Sequence, residues 1–215
     1  MKVKNVLILG DSYSTFAGYI PEGNAIYYST NERPETDVRR VEETWWYSLC
    51  KEEGLNIVLN ESWSGAPFAF WGWYGMDTSK TSSFVYRLEK LIDEGFFKNN
   101  DVDTIFVLGG TNDSWIDTEL GEAKYSDWTR EDFYTVCPAI TYFASKLKET
   151  KPDANIIFLI NTDLKPKIAE TIREACDRYD MKYLELSDID KSHGHPTIKG
   201  MSQIKEQLKA FMHEN

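Results

Sequence analysis

The chain holds 215 residues, 41% hydrophobic and 27% charged, a balance that excludes wholesale disorder and allows a sizeable core without staples. Lys and Arg number 24 against 35 Asp and Glu; this net charge of -11 repels phosphate backbones and argues against nucleic acid as a partner. No apolar run approaches the roughly 20 residues of a membrane helix, so no membrane partner is expected.

Length points to one domain over residues 1–215. The apolar run Val6 to Leu9 is too short for a signal-peptide core. Cys50, Cys137 and Cys176 are widely spaced and form no zinc or redox pattern, which fits a reducing compartment. A cytoplasmic protein is therefore expected, although a processed secreted chain would read the same way.

Short apolar runs alternate with amphipathic segments along the chain. Residues 3–9 read as a first strand, and residues 41–53 as a helix stopped by Gly54. A second strand is expected at 56–60. A helix over 82–94 then places Phe84, Val85, Leu88, Leu91 and Ile92 on one face, with Gly95 as its stop. A third strand at 104–108 precedes a helix over 131–150 that ends before Pro152. A fourth strand at 155–160 precedes a helix over 166–179, with proline in its first turn. A weaker fifth strand at 182–186 and a helix over 196–213 complete the chain. Such alternation predicts an α/β domain with a parallel sheet covered by helices on both faces. The irregular stretches 13–40 and 110–128 are long enough to be functional or lid-like. In open α/β sheets ligands bind beyond the carboxyl ends of the strands, so the residues just after each strand are the candidates for chemistry.

The first strand leads into Gly10-Asp11-Ser12. A serine at that tip is placed as a nucleophile; the plain alternative is that Asp11 or Ser12 caps a helix. The second strand leads to Gly65, whose bare N–H is open to a ligand, or which is an ordinary turn glycine. The third leads into Gly109-Gly110-Thr111-Asn112-Asp113, where the Asn112 amide can donate to a developing oxyanion or simply make a turn. Of the histidines His193, His195 and His213, His195 follows the fifth strand at the start of the last helix, with Asp188 and Asp190 just upstream. Histidine is the usual general base near neutral pH, and a carboxylate on its Nδ1 would fix the tautomer. His193 and His195 also make a His-x-His pair, but no third metal ligand is evident. No metal and no cofactor are expected.

Serine, glycine, asparagine and histidine each follow a different strand, so this fold would gather them at one edge. In this order the blocks Gly10-Asp11-Ser12, Gly65, Gly109 to Asp113 and His195-Pro196 make the sequence resemble the SGNH/GDSL hydrolases (GDSL-like lipase/acylhydrolases) over nearly its whole length. The resemblance implies a three-layer α/β/α sandwich with a five-stranded parallel sheet in the order 2-1-3-4-5. It implies an esterase in which Ser12 attacks an ester carbonyl, His195 takes its proton, and the Ser12 N–H, the Gly65 N–H and the Asn112 side chain form the oxyanion hole. The family usually places the acid three residues before the histidine, and here that position is Ser192. The acid is then Asp190, which the reading favours, or Asp188, or its place is taken by a backbone carbonyl in a dyad. His193, which lacks the following proline, is the weaker candidate base. A short acyl group on a carbohydrate or other small molecule is the substrate class that the resemblance suggests.

Phe68, Phe70, Trp71, Trp73 and Tyr74 crowd after Gly65 and are read mainly as core or cap packing, with a substrate pocket as the alternative. Trp45 and Trp46 are expected to divide between core and surface. Tyr13 and Trp115, next to the proposed chemistry, are the candidate substrate contacts. A non-catalytic flavodoxin-like protein, with a phosphate on the hydroxyl-rich Ser12 to Thr15 loop, is the first competing reading. The second is a glycan-binding protein on an inherited hydrolase scaffold.

Overall fold

The computed structural model describes residues 4–214; Met1 to Val3, including the expected start of the first strand, and Asn215 lie outside it. Five parallel strands form the sheet: β1 (Asn5–Gly10), β2 (Asn56–Ser62), β3 (Thr104–Leu108), β4 (Asn155–Ile160) and β5 (Lys182–Glu185), in the order β2-β1-β3-β4-β5. Helices α1 (Trp45–Glu52), α2 (Phe84–Asp93), α3 (Phe96–Asn99), α4 (Thr111–Trp115), α5 (Val136–Thr150), α6 (Pro166–Arg178) and α7 (Ile198–Glu214) complete the layers, together with a small hairpin of β6 (Lys191–Ser192) and β7 (His195–Pro196).

Strand period explains the two cores. Val6 and Ile8 of β1, Phe106 and Leu108 of β3, and Ile157 and Leu159 of β4 pack with Trp45, Leu49, Ile204 and Leu208 of α1 and α7. Their neighbours Leu7, Leu9, Ile105, Val107, Ile156 and Phe158 face α2, α5 and α6. Trp45 and Trp46, expected to divide between core and surface, are both buried. Among the described residues no helix is long and apolar enough to cross a membrane.

Two expected helices start late for one reason. Thr44 and Thr135 adopt extended backbone, and their hydroxyls donate to the carbonyls of Val41 and Asp132, three residues earlier. Each closes a single 3-10 turn and forces a fresh start, so the helices begin at Trp45 and Val136. The last helix begins at Ile198 because Pro196 belongs to the hairpin.

Register levels the carboxyl ends of the strands. Gly10 pairs with Ser62 on one side and Leu108 on the other, so the segments after β1, β2 and β3 leave the sheet side by side. Arg87, on the core face of α2 and buried, fastens this edge: Nη2 donates to Gly10 O at 3.2 Å, Nη1 to Glu61 O at 2.5 Å and Nε to Ser82 O at 2.8 Å. Its guanidinium also lies over Phe84, 4.4 Å from the ring centre. Burial lowers its pKa to about 10, which keeps the charge at neutral pH.

Arg87→Met should remove about 3–5 kcal/mol of stability in urea unfolding, because three hydrogen bonds from a buried charge are lost and Gly10 O keeps only the Trp63 N–H. Arg87→Lys should recover part of it, since an ammonium cannot fork to all three acceptors. Wild-type stability in Arg87→Met would contradict this role.

Candidate active site

Asp11 follows β1 and is fully buried. Its Oδ1 accepts the Tyr13 N–H at 3.0 Å and so caps the 3-10 turn Ser12–Ser14. Burial pushes its carboxyl up to about 7, with the Tyr13 N–H and the Arg87 charge acting in the other direction. The cap reading therefore applies to Asp11, and the Ser12 hydroxyl is left for another partner. That partner is His195, whose Nε2 lies 2.9 Å from Ser12 Oγ.

His195 reaches this position on the two-residue hairpin. Ser192 pairs with His195 and Lys191 with Pro196, and the turn residues His193 and Gly194 both have positive φ, 49° and 77°, as a type I′ turn requires. Glycine at 194 meets a second demand, because a Cβ there would lie 3.1 Å from the Trp115 ring. The turn folds the His193 carbonyl back onto its own strand, 3.1 Å from His195 Nδ1. A carbonyl only accepts, so Nδ1 carries the proton and the Nε2 lone pair faces Ser12. Two tyrosines clamp the hairpin: Tyr13 donates to Gly194 O at 2.5 Å and Tyr28 to Pro196 O at 2.9 Å. Burial lowers the His195 pKa to about 4, with Arg33 and Lys191 acting in the same direction and the His193 carbonyl opposing.

The expectation that Asp190 orients the imidazole is not met. Its carboxylate accepts from Thr197 Oγ1 and lies 3.8 Å from Lys199 Nζ, and its backbone N–H donates to Gln203. It braces the start of α7, while the Nδ1 proton goes to the His193 carbonyl. Asp188 is exposed, with left-handed backbone (φ 54°). Ser192, at the position the resemblance gave to the acid, contacts His193 Nδ1 at 3.0 Å. His193 is exposed.

The candidate oxyanion donors lie on the segments that leave β1, β2 and β3 at one edge of the sheet. The Ser12 N–H, at the start of its turn, has no acceptor within that turn. On either side of Gly65, Ser64 N–H donates to Ala25 O and Ala66 N–H to Trp63 O; no acceptor for the Gly65 N–H lies among the described residues. Gly110 (φ 90°) turns the chain from β3 into α4, which carries Asn112. Asn112 Nδ2 donates one proton to Ala66 O at 3.1 Å, and Oδ1 accepts from Trp73 Nε1 at 3.0 Å. Indole is a donor only, so Trp73 sets the flip of the amide and leaves the second Nδ2 proton for the site. The neighbouring Asp113 carboxylate accepts from Phe68 and Ala69 N–H at 2.9–3.2 Å, tying the segment after Gly65 to α4. Burial raises its pKa to about 6 against those bonds. Among the described residues no group of three or more His, Cys, Asp or Glu side chains is placed to hold a metal ion.

Residues 4–212 match the GDSL-like lipase/acylhydrolase family. A Bacteroides ovatus structure described as a GDSL-like lipase is 42% identical, with TM-score 0.92 and full coverage of both chains. A second, from Bacteroides uniformis and described in the same words, is 37% identical with TM-score 0.91, covering 99% of this chain and 97% of the other. The chain belongs to the GDSL-like lipase/acylhydrolase family. It is accordingly a hydrolase acting on esters. More distantly, an acetyl xylan esterase from Butyrivibrio proteoclasticus shares the fold at 17% identity and TM-score 0.64, over 98% of this chain and 63% of the other. No curated protein matches the sequence.

Family membership decides against the flavodoxin-like reading, and the loop agrees. The Thr15 hydroxyl donates to Ser12 O and accepts the Tyr27 N–H, so it is not free to cradle a phosphate. Of the expected substrate contacts, Tyr13 is corrected: it is fully buried and serves the hairpin through its hydroxyl. Trp115 is 42% exposed, packs against Gly194 and lies 5.6 Å from the His195 ring. Phe68 and Phe70 are core residues as expected, whereas Trp71 and Tyr74 are exposed and Trp73 is half-buried. Sequence reasoning missed Tyr27, Tyr28, Arg33 and the amide-orienting role of Trp73. The length of the 13–40 stretch was the signal for the first three, and its lack of periodicity hid which residues mattered.

Asp190→Asn should leave kcat within about threefold, against the roughly 10,000-fold loss that this exchange causes in a carboxylate triad. Trp73→Phe, which frees the Asn112 amide to flip, should lower kcat by about tenfold with little change in KM. Steady-state kinetics on one ester reads both.

Proposed function

We infer that the chain acts, as one domain, as a serine esterase with a Ser12–His195 dyad that removes a short acyl group from a carbohydrate. The observation that carries the reading is the 2.9 Å contact of Ser12 Oγ with an imidazole whose Nδ1 proton is held by a backbone carbonyl. Ser12 Oγ attacks the ester carbonyl carbon as its proton passes to His195 Nε2. Negative charge on the former carbonyl oxygen is met by the Ser12 and Gly65 N–H groups and the Asn112 amide. His195 then gives the proton to the departing alcohol oxygen, and water repeats the sequence on the acyl-enzyme to release the acid. Aspartate has no direct part; the carbonyl dipole of His193 supports the imidazolium that forms at each step.

Aromatic exposure supports a sugar on the alcohol side. Trp115 beside His195 is followed by Trp73 at 6.5 Å and then Tyr74 at 6.3 Å between ring centres, and Tyr74 is 95% exposed. Flat aromatic faces of this kind give large, rigid contact area to an amphipathic ring. Proteins of the same fold include the acetyl xylan esterase and a Clostridium thermocellum carbohydrate esterase in complex with cellohexaose. Buried, unpaired Cys50, Cys137 and Cys176 fit a reducing compartment, as a cytoplasmic esterase requires.

Acetyl and butyryl p-nitrophenyl esters, then acetylated oligosaccharides, should be turned over by wild type and not by Ser12→Ala, with acetyl favoured. Asn112→Ala should lower kcat about 100- to 1,000-fold while changing KM little. The base works unprotonated and its pKa lies near 4, so kcat/KM should hold level down to about pH 5 and fall as pH drops through about 4. Equal activity in Ser12→Ala, or no covalent labelling of wild type by a fluorophosphonate, would sink the serine reading.

A further inference from the structure

The His195 ring is held from its edges by Ser12 and the His193 carbonyl, and from one face by Tyr27. The two rings are parallel within 6° and their centres are 3.5 Å apart. We propose that Tyr27 is a positioning residue whose ring, stacked flat on the imidazole, fixes the plane of His195 in place of the carboxylate this site lacks. The inference rests on the dyad reading above and extends it to a residue outside the dyad and the proposed oxyanion donors.

A charged carboxylate holds an imidazole strongly at Nδ1, whereas a single neutral N–H···O bond at 3.1 Å restrains its rotation weakly. Turning the His195 ring about its Cβ–Cγ bond would drive an edge into the Tyr27 face. The other neighbours, Tyr13 at 5.4 Å, Trp115 at 5.6 Å and Tyr28 at 6.4 Å, meet the imidazole at angles of 54–79° and leave that rotation to Tyr27.

Tyr27 is itself anchored. Its N–H donates to Thr15 Oγ1 at 2.9 Å, and that hydroxyl donates to Ser12 O at 3.0 Å, so the clamp shares a frame with the turn that carries the serine. Its carbonyl accepts from Arg33 Nη1 at 2.7 Å. The Arg33 guanidinium lies over the Tyr27 ring, 4.7 Å from its centre. With the imidazole filling one face, the guanidinium takes the other. Arg33 is fixed in turn by Arg39, whose Nη2 donates to Arg33 O at 2.7 Å. The whole stack Arg33–Tyr27–His195 belongs to the irregular loop and the hairpin, and neither the main sheet nor its covering helices contribute to it.

The test is a proton-NMR titration of the His195 imidazole, assigned by comparison with His195→Asn, in wild type, Tyr27→Phe, Tyr27→Leu and Tyr27→Ala. Arg33 and Lys191 are the charged groups that act on this imidazole, and both are kept in every variant. Tyr27→Phe preserves the flat face and should titrate as wild type, with kcat on p-nitrophenyl acetate within about twofold. Tyr27→Ala opens one face to water, so the midpoint should climb from about 4 toward the ordinary 6.5. Its kcat should fall about 10- to 100-fold with KM nearly unchanged, as loss of orientation requires. Tyr27→Leu, which keeps the face covered without a flat ring, should hold the midpoint near that of wild type while its kcat falls as in Tyr27→Ala, and it guards against a folding defect. A wild-type midpoint in Tyr27→Ala, or equal losses in Tyr27→Phe and Tyr27→Ala, would overturn the inference. The titration needs no turnover, so it stands apart from the fluorophosphonate labelling that tests the serine mechanism itself.

Discussion

One buried cation organises the working edge of this sheet. A carbonyl at the end of a parallel strand keeps a second lone pair after strand pairing, as Gly10 O does after accepting the Trp63 N–H at 3.1 Å. The Arg87 guanidinium answers two such carbonyls, Gly10 and Glu61, from a helix on one face. Ser12 comes two residues after the first and Gly65 four after the second. The helix that covers the sheet thus also sets how far apart the serine and one proposed oxyanion donor stand. Asp113 does the same for the third strand, with a buried carboxylate that holds the Phe68 and Ala69 N–H groups. Two buried charges of opposite sign define the spacing of the site, and neither touches the ester in the proposed mechanism.

The histidine arrives by different means. Nothing on the sheet supports it; a type I′ turn and the hydroxyls of Tyr13 and Tyr28 do. Exchanging a carboxylate for a carbonyl changes the electrostatics. With no anion beside it, burial dominates and the imidazole stays neutral to unusually low pH. In the proposed mechanism the base is then always in its working form near neutrality but is intrinsically weaker, and the imidazolium it would become gains only a dipole. Geometry has to compensate for the missing charge, which accounts for the density of rings packed around His195.

Much of this was legible in the sequence. The alternation of short apolar runs with amphipathic segments predicted a parallel sheet covered on both faces, and Val6 and Ile8 with Leu7 and Leu9 fill the two layers because side chains on a strand divide between two faces. Ser12, Gly65 and Asn112 could be picked out because each closely follows a strand, and parallel strands deliver their exiting loops to one edge; His195 was picked out as the histidine at the start of the last helix. The helix starts were misjudged at Thr44 and Thr135, where a side-chain hydroxyl outcompetes the helix for one carbonyl. Arg87 escaped notice because the apolar stripe of its helix does not reveal what a charged residue on that stripe holds. His193-Gly194 was a turn signal hidden beside the aspartates that drew attention as the acid; histidine enters the left-handed region more readily than most residues. The group that took the acid's place has no letter in the sequence at all.

An orienting group made of main chain limits how this hydrolase can be dissected. A carbonyl oxygen survives every exchange of side chains, so alanine at Asp188, Asp190 or Ser192 would return no orienting group and would make the histidine look self-sufficient. The contact is open only to chemistry on the main chain. Replacing the peptide nitrogen of Gly194 by an ester oxygen would leave each side chain in place while weakening the His193 carbonyl as an acceptor. An orienting group written into the backbone is also shielded from ordinary point mutation: it fails only when the turn that aims it fails.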